Sequence, residues 1–176
     1  MFIEECNLPL QPSPTVYLAL GSNLGGRLAN LETSMRELSA EFELEKISPV
    51  YETPPWGYEQ QPAFLNQVIS GKTSLNPQNL LKFVKEIEHK MGRQETFRNG
   101  PRVIDIDILV YGDLRFNTPE LVIPHSRMAE RAFVLVPLVD IAPSLLIPGQ
   151  KLSASDLLRT LDQSGINKFN TEIDTG

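Results

Sequence analysis

The 176-residue sequence predicts an α+β fold, an antiparallel sheet with helices packed on one face. Three observations predict it. Some apolar runs alternate with polar residues or have strand length, while others recur at three- and four-residue spacing. Those runs follow one another as strand, helix, strand, strand, helix, strand. The last strand, within residues 100–111, carries Asp105 and Asp107 on one face and isoleucines on the other.

Residues 1–14 hold Pro9, Pro12 and Pro14 and little periodicity, which predicts a poorly ordered leader. Residues 16–20 (Val-Tyr-Leu-Ala-Leu) are apolar throughout, as in a central strand covered on both sides. The following Gly21-Ser-Asn-Leu-Gly-Gly26 lacks the ending of a phosphate-binding Walker loop and reads as a tight strand-to-helix turn. Leu28, Leu31, Met35 and Leu38 predict a helix over 27–38. A second strand is expected from Phe42 to about Glu52. Thr53-Pro-Pro-Trp-Gly57 is then a stiff, extended loop, because two prolines fix φ and remove two donors. Trp56 either walls a pocket there or covers core.

Residues 63–73 read as a third strand with Phe64, Asn66 and Val68 on one face. Asn66 either bonds neighbouring backbone or reads a ligand edge. Asn76-Pro77 is a helix start, and Leu80, Val84, Ile87 and Met91 form its buried stripe. Gly92 is the expected C-cap, and Glu88 lies at that end. The link 92–101 is polar and reads as a mobile loop.

In the fourth strand, Ile104, Ile106, Ile108 and Val110 are expected on one face, with Asp105, Asp107, Leu109 and Tyr111 on the other. Carboxylates two residues apart on a strand lie about 6–7 Å apart at Cα. Either that face is solvated, or a cation sits between them, and for oxygen ligands Mg²⁺ is the usual one. Residues 82–102 contain six basic side chains (Lys82, Lys85, Lys90, Arg93, Arg98, Arg102) against Glu86, Glu88 and Glu95, a local +3 in a chain of net −6. Cations beside a carboxylate pair suit a polyphosphate.

This order, β-α-β-β-α-β, is that of a ferredoxin-like core with two helices on one sheet face. The isoleucines would pack under the helices, leaving the Asp face open to a ligand. Beyond it, Gly112-Asp113 predicts a type II′ hairpin turn with a return strand near 114–116, then another strand at 121–123. His125 is a phosphate donor, a proton carrier or a structural histidine. A segment over 128–138 carries Arg131 and Phe133, and a short helix is expected near 155–161. Residues 15–165 form one domain in this reading, with 166–176 as a tail.

Composition narrows the function. The 41% apolar and 22% charged fractions are ordinary for a globular protein. A net charge of −6 argues against general nucleic-acid binding. The single Cys6 suits a reducing compartment, no apolar run is long enough to span a membrane, and the expected location is the cytoplasm. A metal-dependent nucleotidyltransferase would carry a basic track outside the site. A ferredoxin-like binding module has no need of paired acids beside a basic loop.

Several stretches together resemble the hydroxymethyl-dihydropterin pyrophosphokinase family of folate biosynthesis. They are Ala19 to Gly25, Tyr51-Glu-Thr-Pro-Pro55, Phe64-Leu-Asn66, Ile87-Glu88 with Gly92-Arg93, Gly100-Pro-Arg102 with Asp105-Ile-Asp107, and Pro124-His125 through Arg131-Ala-Phe133. The resemblance implies transfer of pyrophosphate from ATP to the pterin hydroxymethyl group, with AMP as the other product. Asp105 and Asp107 match ligands of two Mg²⁺ ions, and Asp107 is a candidate for taking the hydroxyl proton. Arg102, His125 and Arg131 match residues that grip the triphosphate, Arg98 a loop arginine that closes over it, and Glu88 a residue of the ATP-binding region. Asn66 matches the amide that reads the pterin edge, Thr53 and Pro54 the loop lining its pocket, and Phe64 and Phe133 the aromatics that sandwich the ring. The implied partners are these small molecules, acting on a monomer, with neither nucleic acid nor membrane. Departures fall on the adenine side and on loop closure: Asn99 in place of an aromatic, Gln94 or Glu95 in place of a second loop arginine, a 92–100 loop a residue shorter than in some members, and Glu120 in place of an arginine.

Overall fold

The computed structural model of the chain describes residues 12–94 and 97–170. Most of the expected leader, Cys6, Glu95 and the end of the expected tail lie outside the described residues. The elements run β1 (Val16–Ser22), α1 (Arg27–Leu38), β2 (Glu43–Ile47), β3 (Tyr51–Thr53), β4 (Phe64–Lys72), α2 (Pro77–Lys90) and β5 (Asp105–Tyr111). The C-terminal part adds β6 (Phe116–Asn117), β7 (Val122–Ile123), α3 (Ala132–Ile141), α4 (Ala154–Arg159) and β8 (Asn167–Lys168). The sheet order is β5-β1-β4-β3-β8, with β2 also on β4, and the pairings are antiparallel.

The ferredoxin-like order is therefore realised, and β1 is central, as its apolar run requires. Leu31 and Leu38 of α1 and Leu80, Val84 and Ile87 of α2 pack with Leu18, Leu20, Leu65, Ile69, Ile104, Ile106 and Ile108 of the sheet. Each such side chain contributes about 1.5–3 kcal/mol when fully buried. This holds the sheet in place against which the opposite face is built. On that face Tyr17, Ala19, Val68, Leu109 and Val110 meet Leu135 and Leu138 of α3 and Leu157 of α4. The C-terminal extension thus folds back over the second face and leaves only one end of it open.

Three local expectations are corrected. The second strand breaks into β2 and β3 at Ser48-Pro49-Val50: the three residues between Ile47 and Tyr51 face the two between Ile69 and Asn66. Ser48 bridges the bulge with its own backbone and hydroxyl, donating N–H to Val68 O at 2.9 Å and accepting from Val68 N at 3.0 Å. In β5 the partner register slips beside Tyr17 and Leu18, which face Val110 and Ile108 and leave Leu109 as the extra residue. Val110 consequently joins Leu109 on the second face, while Tyr111 turns to the first, donating its hydroxyl to Leu75 O at 2.7 Å. The Gly112-Asp113 turn forms, with Leu114 N–H on Tyr111 O, but β6 pairs with β7 in a separate ribbon and not with β5. In addition, Asn167–Lys168, expected in the tail, extend the sheet beside β3.

The N-cap of α2 is as predicted, with Asn76 Oδ1 accepting from Asn79 N at 2.9 Å. At its other end Gly92 adopts φ 89°, and the N–H groups of Gly92 and Arg93 bond His89 O and Glu88 O. This double bond pattern, 5→2 and 6→1, is a Schellman cap. It reverses the chain at once and lays Arg93 back over the helix end.

Candidate active site

The site lies on the second face, where α3 does not cover the sheet. Asn66 of β4, Gly21 of β1 and Asp105 of β5 stand in one row across three strands, and Val68, Ala19 and Asp107 form the next. Paired residues on neighbouring strands point the same way, so two strand spacings, about 10 Å, separate Asn66 from Asp105. The residues between them are glycine and alanine. Small residues on β1 thus leave a trough with an amide on one bank and two carboxylates on the other. A Cβ on Gly21 would stand 3.0 Å from Asn66 Oδ1, so the trough depends on that glycine.

The cleft encloses about 210 Å³, and Thr53, Pro54, Trp56, Phe64, Asn66, Asn99, Arg102, Asp105, Asp107, His125, Arg131 and Phe133 line it. Ten residues expected at the site are thereby brought together: Thr53, Pro54, Phe64, Asn66, Arg102, Asp105, Asp107, His125, Arg131 and Phe133. Glu88 and Arg98 are not among the lining residues. Arg98 is exposed, as are Gln94 and Glu120. Trp56 takes the pocket-wall role: it lines the cleft and sits tilted on Phe133, ring centroids 5.9 Å apart.

On the β4 bank, Asn66 Nδ2 donates to Thr53 Oγ1 at 2.6 Å. That bond orients the amide and leaves its Oδ1 turned to the trough as an acceptor. Phe64 and Phe133 enter from β4 and from the first turn of α3, two elements on different layers.

The opposite bank is electrostatic. Asp105 accepts from Arg93 Nη1 at 3.0 Å and from Arg102 Nη1 at 2.9 Å, one on each oxygen. Arg93 is also ion-paired with Glu88, which is 2% exposed and accepts the Ile106 N–H at 2.7 Å. Glu88 therefore lies behind β5 and braces it, with Lys85 as its second cation at 3.0 Å. Among the described residues Asp107 has no such arginine fork, and the His125 ring faces it, Nε2 to Oδ2 3.9 Å. Burial, and then the Asp105 carboxylate, push the Asp107 carboxyl up to about 7. His125 Nδ1 accepts from Arg127 N–H at 3.2 Å, so in this tautomer Nε2 carries the proton. Burial, and then the Arg131 charge, lower its pKa to about 4, which keeps the ring neutral at pH 7. Among the described residues the buried Arg131 Nε finds no hydrogen-bond partner, a donor in want of an anion.

The donor set fits a hard cation. It offers two carboxylates on one face, and among the described residues no group of three His, Cys, Asp or Glu side chains forms a complete cage. Mg²⁺ uses one or two carboxylates and fills its octahedron with water and phosphate oxygens.

Sequence reasoning missed three contributors. Arg93 stands in the sequence as one of the basic residues and within the Gly92-Arg93 stretch, with no role of its own, and its place on Asp105 follows from the Schellman cap. Asn23, 1% exposed, accepts the Arg102 N–H at 2.7 Å and donates to Gln61 Oε1 at 2.9 Å. Gln61 in turn donates to Asn99 O at 2.7 Å. These two amides tie the 54–63 loop to the segment that leads into β5. The one available signal was Asn23 within the Gly-Ser-Asn-Leu-Gly stretch.

The fold and the site define an α+β domain with a ferredoxin-like core and a paired-acid cleft on its second face. Among solved structures, Plasmodium falciparum HPPK-DHPS, wild type, superposes with a TM-score of 0.68 at 17% identity, over 84% of this chain and 44% of that one. That likeness shows the fold. The profile of the 7,8-dihydro-6-hydroxymethylpterin-pyrophosphokinase (HPPK) family matches residues 17–143. The 2-amino-4-hydroxy-6-hydroxymethyldihydropteridine pyrophosphokinase of Aquifex aeolicus is 47% identical over 134 residues, 76% of this chain and 84% of that protein. The enzyme of the same name from Methylorubrum extorquens is 44% identical over 154 residues, 86% of this chain and 96% of that protein. The Folic acid synthesis protein FOL1 of Dictyostelium discoideum is 46% identical over 150 residues, 85% of this chain but 23% of that longer protein. The chain belongs to the HPPK family and is an enzyme of the pyrophosphokinase class. Among its described residues no helix is long and apolar enough to cross a membrane.

Proposed function

We propose that this chain transfers the pyrophosphate of ATP to the hydroxymethyl group of 6-hydroxymethyl-7,8-dihydropterin, giving AMP and the pterin diphosphate for folate biosynthesis. The observation that carries this reading is the row Asn66–Gly21–Asp105. It puts an amide and a carboxylate on opposite banks of one trough floored by glycine, which supports an amide that reads the ring and a carboxylate that holds a cation.

In this reading Asn66, oriented by Thr53, accepts from a pterin N–H, and Pro54 lines the ring's edge. Phe64 and Phe133 hold the flat ring between them, a geometry favourable for stacking. Arg102, Arg131 and the Nε2–H of neutral His125 hold phosphate oxygens, and Arg131 Nε gains the acceptor it lacks. Arg98 closes over the nucleotide from the exposed loop, and Glu88 acts on the nucleotide region through Arg93. Asp105 and Asp107 would hold two Mg²⁺ ions, which when bound supply charge neutralisation on the phosphates. The pterin oxygen attacks the β-phosphorus in line. The new O–P bond forms as the bond from the β-phosphorus to the α,β-bridging oxygen breaks. AMP leaves with that oxygen, and Asp107 takes the hydroxyl proton. The acidic net charge and the single cysteine fit a cytoplasmic monomer working on small molecules, without nucleic acid or membrane as partner.

The test is one incubation with ATP, Mg²⁺ and the pterin alcohol. AMP and pterin diphosphate in equal amounts are expected. ADP as the nucleotide product, or no product, overturns the reading.

A further inference from the structure

We infer that Arg27, with Phe169 lying on it, is a positioning pair that sets the spacing of the substrate loop's two roots. The inference rests on the pterin-site reading above.

The loop 54–63 leaves β3 at Thr53 and returns to β4 at Phe64, and these two cleft residues are paired across the strands. Arg27 reaches both sides of this junction. Its Nη2 is 2.7 Å from Glu52 Oε2, one residue before Thr53, and its Nη1 donates to Ala63 O at 2.9 Å, one residue before Phe64. A planar fork that spans both roots fixes their separation more tightly than a point charge could. The Phe169 ring then lies 5.9 Å from the guanidinium carbon, within cation–π range. Phe169 is held by the pairing of β8 with β3 and by its own N–H on Val50 O at 2.8 Å.

Two features set this arrangement apart from incidental surface contact. Arg27 is the first residue of α1, where the helix dipole disfavours a cation, and the first turn holds no acid to offset it. A local rule broken without local compensation points to a contact made elsewhere, and the loop roots supply it. Moreover, the family profile ends at residue 143, whereas Phe169 lies beyond it. The extension outside that span therefore reaches back to the base of the pterin pocket.

The test measures KM for the pterin alcohol and for ATP separately, and amide hydrogen exchange of residues 54–63, in full-length Arg27→Ala, Arg27→Lys, Phe169→Ala and Phe169→Trp. Phe169→Ala is expected to raise KM for the pterin about two- to fivefold, the size of a half-exposed cation–π contact. Arg27→Ala should raise it further. KM for ATP should stay put, loop exchange should quicken in both variants, and exchange in β5 should not change. Phe169→Trp should restore both readouts, and Arg27→Lys should not. Equal pterin KM and equal loop exchange in all variants would overturn the inference. So would parallel rises in both KM values with faster exchange throughout, the mark of general loosening. A wild type inactive on the pterin alcohol would remove the site reading, while loop exchange would still decide whether the pair holds the roots.

Discussion

Arg93 stands with Nη1 3.0 Å from Asp105 Oδ1 while the same nitrogen is ion-paired with Glu88, so one guanidinium joins a buried acid to a cleft acid. Glu88 also accepts the N–H of Ile106, the residue between Asp105 and Asp107. The pitch of the carboxylate pair is thus set from behind the strand, by a helix end and its cap.

Glu88→Ala is expected to lower unfolding stability by about 1–3 kcal/mol, because it leaves the buried Ile106 N–H without its acceptor and removes one of the two carboxylates on Arg93. Urea unfolding reads this directly. A midpoint equal to wild type would show that Glu88 does not brace the strand.

Asp105→Asn and Asp107→Asn should each cut turnover by about 10²–10³-fold with the far-ultraviolet spectrum unchanged. Both side chains sit at the cleft and not in the core, which is why the fold should survive. Wild-type turnover in both variants would remove them from the chemistry.

Gly21→Ala places a methyl 3.0 Å from Asn66 Oδ1 and 3.7 Å from the Phe64 ring. The crowding costs about 1–3 kcal/mol. It is expected as a higher KM for the pterin alcohol at unchanged KM for ATP. An unchanged pterin KM would mean that the ring does not lie across β1.

Tyr51 donates its hydroxyl to Asp140, and burial first, with that bond next, raises its pKa to about 12 from 10.0. Unfolded chains lose this proton near pH 10 while folded ones keep it. The contribution is complete below pH 10 and falls away as pH rises through 12. The stability difference between wild type and Tyr51→Phe should therefore shrink across that interval. A constant difference from pH 8 to pH 11.5 would contradict it.

Much of the cleft could be read before any coordinates because its residues obey short-range rules. Asp105 and Asp107 share a face by strand periodicity, Asn76-Pro77 starts a helix through local capping, and Gly92 ends it. What escaped depends on contacts across the chain. Ser48 breaks the second strand because its hydroxyl takes over a ladder bond from Val68, which no run of apolar residues announces. Val110 changes face because β1 and β5 slip by one residue, an event seen only when two strands are laid together. Gly92 was legible as a cap, but the return of Arg93 to Glu88 and Asp105 depends on where the neighbouring strand lies. Asn23 and Gln61 look like ordinary polar loop residues until the third segment that they tie, 99–102, is in place.

The surplus residue at Leu109 lets one strand serve two interiors in succession. Upstream of it the isoleucines look toward α1 and α2; downstream, Val110 looks toward α3 and α4. Deleting Leu109 would restore strict alternation and leave Val110 and Tyr111 on the faces they already occupy, but it would remove the Leu109 side chain from the second interior. The acids would keep their orientation, and α3, which brings Phe133 to the cleft, would lose one of the side chains it packs with. A single surplus side chain, about 7 Å of chain beyond Asp107, is what couples the carboxylate edge to the wall that closes it.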